Sequence, residues 1–418
     1  MTLDPKKFLL ELFDEAISAV LPQKCLPMYL PKPAKGRTVV VGAGKASAGM
    51  AAELERYWPE NSHGELSGLI ITRYGHGVPC RNFEIVEAGH PISDEAGIEA
   101  TQRILKMVSG LTSDDLVICL LSGGGSALLS APALGLCLED KQSISRELLT
   151  SGATISEINT VRKHLSSVKG GLLAKACIPA RLCTLAISDV VGNNPTNIAS
   201  GPTVPDPSTF ADARAVVEKY GFDVTKNVSF HLSEGAHETL KSSDPAFSRT
   251  SFDVIATGRQ ALEAAAVMAR KAGIEPIIMN DSMEGESRTV GKFMAELTME
   301  QGEGPFVLLS GGETTVNVKG QGRGGPNSEF LLSFAVHLRK PENVYAVACD
   351  TDGVDGTEDN AGAIFIPDMI TRAETKGIDP KAMLDDNNAY GFFEALDGLV
   401  VTGATQTNVS DFRAVLVL

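Results

Sequence analysis

Short apolar runs alternate with helical patterns along most of this chain, and several of the runs stop at glycine. In "RTVVVGAGKASAGMAAELE" a strand is expected at Val39–Val41, then a glycine turn, then a helix from about Lys45. Further runs are "GLIITR", "FEIVEAG", "LVICLLS" and "LCTLAIS", with helical patterns at Asp94–Val108 and Ile155–Cys177. Parallel neighbours need a crossover, usually a helix, so this alternation predicts a parallel sheet covered on both faces. After the polar stretch "SEGAHETLKSSDPAFSRT" it resumes in "FDVIATG", "EPIIMN", "PFVLLSGG", "NVYAVACD" and "GLVVTGATQTN". Two α/β domains are expected, at residues 1–235 and 236–418. The first helix, with Asp4 as N-cap and Pro5 at its first position, carries an apolar stripe that packs on either domain.

A net charge of −15 argues against a general nucleic-acid or anionic-membrane surface, so cations for an anionic substrate must be gathered locally. No apolar run approaches the roughly 18 residues of a membrane span. Seven scattered cysteines without a C-x-x-C pair read as reduced thiols, and the N-terminal stretch has no signal-peptide core, so the expected location is cytoplasmic.

The stretch "DDLVICLLSGGGSALLSAP" carries the sharpest question. Ser122 ends an apolar run, Gly123, Gly124 and Gly125 follow, and Ser126 opens what reads as a helix. Glycine lets the backbone approach a ligand, and N–H groups in such a turn bind anions, so phosphate is the first reading. A tight strand-to-helix turn is the plain alternative. Ser310, Gly311 and Gly312 repeat the pattern in "PFVLLSGGETT", with Glu313 next. Gly44 and Lys45 close the first turn, where an ammonium faces an anion or is simply solvated; a Lys at a helix start is disfavoured unless something negative compensates. Neither the Walker A pattern nor the full dinucleotide fingerprint fits, since Ser47 takes the third glycine position.

Asp189 ends a buried strand, where a carboxylate suits a metal ion, a hydroxyl proton or a loop cap. Arg323 sits among glycines in "VKGQGRGGPNSEF" and suits polyanionic oxygens. The acidic turn "DTDGVDGTEDNAGA" fails as an EF-hand; it reads as a site-facing turn led by Asp352 or as a solvated one. Thr405 and Asn408 lie in the small-residue turn "TGATQTNV".

Taken in order, "GAGKAS", "HPISDEAG", "LLSGGGSALL", "TVRKHLSSVKGGLLA", "ISDVVGNNP", "IASGPT", "LLSGGETTVNVKGQGRGG", "DTDGVDG" and "TGATQTNV" resemble the class II glycerate 2-kinase family, whose members are often labelled hydroxypyruvate reductase. The resemblance runs from about Pro5 to Val417. It implies a Rossmann-like sheet domain, a C-terminal MOFRL-type α/β domain and an active site in the cleft. The implied activity is γ-phosphoryl transfer from ATP, with Mg²⁺, to the 2-hydroxyl of D-glycerate. The family's lysine in the first glycine turn matches Lys45, and its arginine-containing glycine loop corresponds to the region of Arg323; with Asp189, expected to bind Mg²⁺ or to orient the hydroxyl, these are the expected catalytic residues. The binding set is Gly44, 122–126, 310–313, Asn327, Asp352, Thr405 and Asn408. Which glycine loop holds nucleotide and which holds acid stays open, as does a homodimer.

Three positions depart from the family pattern: Asn193 where Asp is common, Pro326 where Arg is common, and Ser328 where Gln is frequent. Two alternatives follow. A catalytically weakened sugar-acid or nucleotide-binding protein is one. A nicotinamide-dependent hydroxypyruvate reductase is the other, with Glu60 as the residue nearest the ribose position.

Overall fold

The structure, a computed structural model, describes residues 3–58, 65–235, 238–302 and 304–418; Glu60 lies outside the described residues. The chain forms two compact units. One comprises residues 25–255; the other combines 1–24 with 256–418.

The first unit holds six strands: β1 (Thr38–Ala43), β2 (Leu66–Arg73), β3 (Phe83–Ala88), β4 (Leu116–Leu121), β5 (Arg181–Ile187) and β6 (Thr250–Ala256). Their order is β3-β2-β1-β4-β5-β6. Pairings among β1 to β5 are parallel, with Val41 opposite Leu69 on one side and Cys119 on the other. β1 and β4 are buried throughout, which is why both read as continuous apolar runs. Because β6 joins this sheet, the structural division falls at 255/256, just past the polar stretch 233–250 rather than at the expected 235/236.

The helical pattern at Ile155–Cys177 is interrupted. It forms a helix at Ile155–His164 and a single turn at Leu172–Ala176. Leu165 leaves the helical region at φ −102° and ψ 20°, and Gly170 and Gly171, with φ of +56° and +85°, keep the helix from resuming before Leu172.

In the second unit the strands are β7 (Glu275–Asn280), β8 (Gly285–Glu286), β9 (Phe306–Gly312), β10 (Thr314–Thr315), β11 (Val344–Asp350), β12 (Gly362–Phe365), β13 (Leu399–Val400) and β14 (Asp411–Val417). β8 and β10 pair with each other; the rest form a sheet ordered β13-β12-β11-β14-β9-β7. Only β7 and β9 run parallel, so this sheet is mixed, in contrast to the parallel sheet that the alternation implies. The helix Pro5–Ala19 packs in this unit, against the helix Gly258–Lys271 and strands β11 and β14. Phe8, Leu9, Leu12 and Phe13 are buried, each worth roughly 1.5–3 kcal/mol relative to exposure. The helix Pro326–His337 is buried almost all round and forms the centre of this unit's core. No described helix is long and apolar enough to cross a membrane.

Candidate active site

The strand order of the first unit reverses direction at β1 and β4. In open α/β sheets, ligands bind outside the carboxyl ends of the strands at such a switch point. Both sequence-selected loops are there: Gly44 and Lys45 follow β1, and 122–126 follow β4.

The two loops are stitched together. Ser122 Oγ accepts from the Ala46 N–H at 3.0 Å and lies 3.2 Å from Ser47 Oγ, which itself donates to Leu120 O at 3.1 Å. Lys45 N–H donates to Gly123 O at 2.8 Å, and Ser47 N–H to Gly44 O at 3.2 Å. The first turn's own amides are thus spent inside the protein, and the Lys45 side chain is what it can offer an anion. Ser122 is buried and structural, whereas Lys45, Gly124 and Ser126 are half-buried.

Close approach explains most of the glycines, and the approaching group is usually the protein itself. A Cβ at Gly44 would lie 2.1 Å from Ser122 Oγ, and one at Gly125 would lie 2.8 Å from Ala43 O. At Gly312 it would lie 2.2 Å from the Met283 backbone nitrogen. Gly124 differs. With φ +80°, its absent side chain leaves room for His90, at 2.9 Å to Cδ2, and for Lys45, at 3.4 Å to Cγ. Among the described residues, Gly123 and Gly124 donate their N–H groups to no acceptor in the chain, while that of Gly125 goes to Ser122 O at 3.1 Å. The helix after the loop is one turn, Gly125–Leu128, so little helix dipole supports the loop.

His90, which sequence reading did not single out, reaches this loop from the segment after β3. Ser93 Oγ donates to Ala127 O at 2.7 Å and ties the segment to the loop. "HPISDEAG" was the available signal, but one His among loop residues carries no spacing that points to a site. Ser200 is a second addition: its hydroxyl bonds to that of Ser126 and donates to Asn159 Oδ1 at 2.9 Å. Asp189, two residues past β5, is half-buried at the same end of the sheet.

The second unit collects the other candidates. Arg323 is 54% exposed, faces Glu358 at 3.2 Å and Glu394 at 3.4 Å, and stacks over Tyr390 at 4.5 Å. These are surface pairs of small worth, so the guanidinium exchanges partners at little cost. The glycines around it press on the chain's own backbone: Gly320 on Asp386 O and Gly325 on Asp355 O.

Asn327 is buried, and its side-chain N–H donates to Asp411 Oδ1 at 2.6 Å. Asp355 accepts the N–H groups of Asn327 and Ser328, each at 2.8 Å, and so caps the helix that begins at Pro326. Pro326 stands where a helix needs no N–H. Burial pushes the Asp355 carboxyl up to about 6 despite these bonds. Asp352 is wholly buried and accepts from Val354 N–H at 2.8 Å, and Thr405 N–H donates to its carbonyl at 3.1 Å, which makes this turn an interior one. Asn408 and Ser310 are also buried; Ser310 sits opposite Arg413 in the β9–β14 register. Glu313 is exposed.

No described group of three His, Cys, Asp or Glu side chains is arranged to hold a metal. Mg²⁺ is commonly bound through one or two carboxylates plus substrate phosphates, so the Asp189 carboxylate fits an ion that arrives with a nucleotide.

Residues 8–233 match a domain of unknown function (DUF4147), and residues 306–411 match the MOFRL family. A putative hydroxypyruvate reductase from Agrobacterium vitis is 48% identical over 99% of this chain and 94% of its own length. A D-glycerate 2-kinase from Thermotoga maritima is 38% identical over 97% of each chain. The crystal structure of glycerate kinase from Thermotoga maritima superposes with a TM-score of 0.86 at 37% identity, covering 99% of both chains.

Proposed function

Since this chain belongs to the class II glycerate kinase family, we infer that it transfers the γ-phosphoryl group of ATP to the 2-hydroxyl of D-glycerate, giving 2-phosphoglycerate. The observation that carries this reading is the meeting of Lys45, His90 and the Gly123–Gly124 amides at the β1/β4 switch point, in a chain that matches glycerate kinases along its whole length.

Phosphoryl transfer depends mainly on positioning and on neutralising charge over the transferring oxygens. Lys45 supplies a cation on a flexible stem beside the loop. Gly123 and Gly124 supply two uncommitted N–H donors, and Ser126 a hydroxyl. The Asp189 carboxylate is suited to hold Mg²⁺, which when bound offsets phosphate charge, or to accept the proton of the 2-hydroxyl. For Arg323 the proposed role is to hold phosphate oxygens, exchanging its two glutamates for them. Asn327, Asp352, Ser310 and Asn408 are buried in bonds or packing of the second unit, so their proposed part is to shape its loops.

The name carried by the Agrobacterium vitis relative keeps a reductase as the second reading. Ser47 counts against it, because a buried hydroxyl bonded to Leu120 O fills the third fingerprint position. Incubation with D-glycerate, ATP and Mg²⁺ should release ADP only when the acid is present. Hydroxypyruvate with NADH should give no oxidation. NADH loss without acid-dependent ADP would reverse the assignment.

A further inference from the structure

Three cations gather on one side of the 126–130 segment, and among the described residues no carboxylate answers them. Lys169 Nζ, buried, donates to Ser126 O at 2.7 Å and Leu129 O at 2.9 Å. Lys141 Nζ, also buried, donates to Ser130 Oγ at 2.9 Å. Arg162 stands three residues after Asn159 on the helix Ile155–His164, and residues at that spacing share a helix face. Asn159 accepts from Ser200, which bonds to Ser126, so this face is turned to the same segment. Among the described residues, nothing in the chain bonds to the Arg162 guanidinium.

The neighbouring Lys163 shows the contrast. It is buried like Lys141 and Lys169 (Arg162 is half-buried) and has a partner supplied by the fold, Asp206 at 3.1 Å. Burial and the charge of Arg162 push the Lys141 ammonium down to about 7, and Lys169 is depressed by burial and by both neighbours. Lys169 has a structural reason to be there, because its two carbonyl bonds close the short helix Gly125–Leu128. Lys141 and Arg162 have none of that kind. An ammonium has three donors and a guanidinium five; Lys141 spends one within the chain and Arg162 spends none. Grouped like charges in a buried setting are costly unless an anion joins them.

The acid substrate carries a carboxylate as well as the hydroxyl that is phosphorylated. Lys45 and the Gly123–Gly124 amides serve the phosphate at the start of the segment; the carboxylate needs cations of its own. We propose that Arg162 and Lys141, backed by Lys169, seat the carboxylate of the acid substrate, with Arg162 gripping both oxygens. This rests on the acid-kinase reading above, and it assigns to these residues the choice of a 2-hydroxy acid over an uncharged polyol.

The test is Arg162→Gln. KM for D-glycerate should rise by about 30-fold or more, the size expected when a bidentate charged contact is lost, while KM for ATP stays within about twofold. The melting temperature without ligand should not fall, since the guanidinium holds no bond in the fold, and Arg162→Lys should recover part of the affinity. An unchanged KM for D-glycerate, or a rise confined to ATP, would overturn the assignment. Thermal shift gives a readout that needs no turnover. D-glycerate should raise the melting temperature of the unsubstituted protein, glycerol should not, and Arg162→Gln should lose the shift. If the protein turns over no glycerate, the kinase reading fails by itself. The carboxylate seat is then judged by the shift with D-glycerate and D-lactate: a shift lost in Arg162→Gln supports it, and no shift in the unsubstituted protein overturns it.

Discussion

Lys45 is the residue on which the proposed chemistry turns. Its backbone N–H is fixed on Gly123 O, and its side chain passes the bare face of Gly124. In Lys45→Ala the backbone bond survives and the cation is lost. A donor that stabilises charge in the transition state is worth about 3–4 kcal/mol, so kcat should fall about 10²–10³-fold. The melting temperature should barely move; a kcat change below about fivefold would make Lys45 a surface lysine. Gly124→Ala tests the loop beside it. The new methyl would meet His90 and Lys45 and would also hold a left-handed φ, which alone costs about 1–2 kcal/mol. Gly110→Ala isolates that second effect, because Gly110 has φ +72°, precedes β4 and has nothing within 4 Å of the added methyl. Gly124→Ala should lose at least as much stability as Gly110→Ala, but only Gly124→Ala should lose kcat, by more than about tenfold. Equal kinetics in the two would reduce Gly124 to a turn residue.

Elements built on apolar runs were legible, and those built on buried charge were not. β1, β2, β4 and β5 lie where their runs stand, because strands covered on both faces must be continuously apolar. β14 was missed, although it lies between β11 and β9 and is buried along its whole length. Its sequence begins with Asp411 and includes Arg413, which reads as surface. In the fold the two form a buried pair, joined by Asn327 and Thr314. The glycine turns were found, but their neighbours could not be: whether a bare Cα meets a ligand, as proposed at Gly124, or the Met283 backbone, as at Gly312, depends on elements distant in sequence.

Asp355 is a third case. It caps the helix Pro326–His337 from a different element, so no local capping pattern announced it. Its carboxyl titrates near 6 when folded and near 3.9 when unfolded. Between those values the folded state holds the extra proton. The contribution to stability is therefore full below about pH 4 and is lost as pH rises through about 6, at most about 3 kcal/mol in all. Urea denaturation at pH 4.5 and pH 8 should show a smaller difference between the two pH values in Asp355→Asn than in the unsubstituted protein. An identical difference in both would remove Asp355 from the account.

At the scale of the molecule, the family relation covers almost the entire chain, while the departures from its pattern are single residues. Pro326 is accommodated as the first residue of its helix, so the change costs the fold nothing and bears only on chemistry. Asn193, in the loop after β5, takes φ +52°, a conformation that Asn tolerates better than most residues. The proposed activity is therefore defined by its product. Phosphorus NMR of the reaction of D-glycerate with ATP and Mg²⁺ measures it directly. The expected spectrum shows a single new phosphomonoester coupled to the C2 proton, as in 2-phosphoglycerate. A phosphoester coupled to the C3 protons instead, or no acid-dependent phosphoester at all, would contradict it.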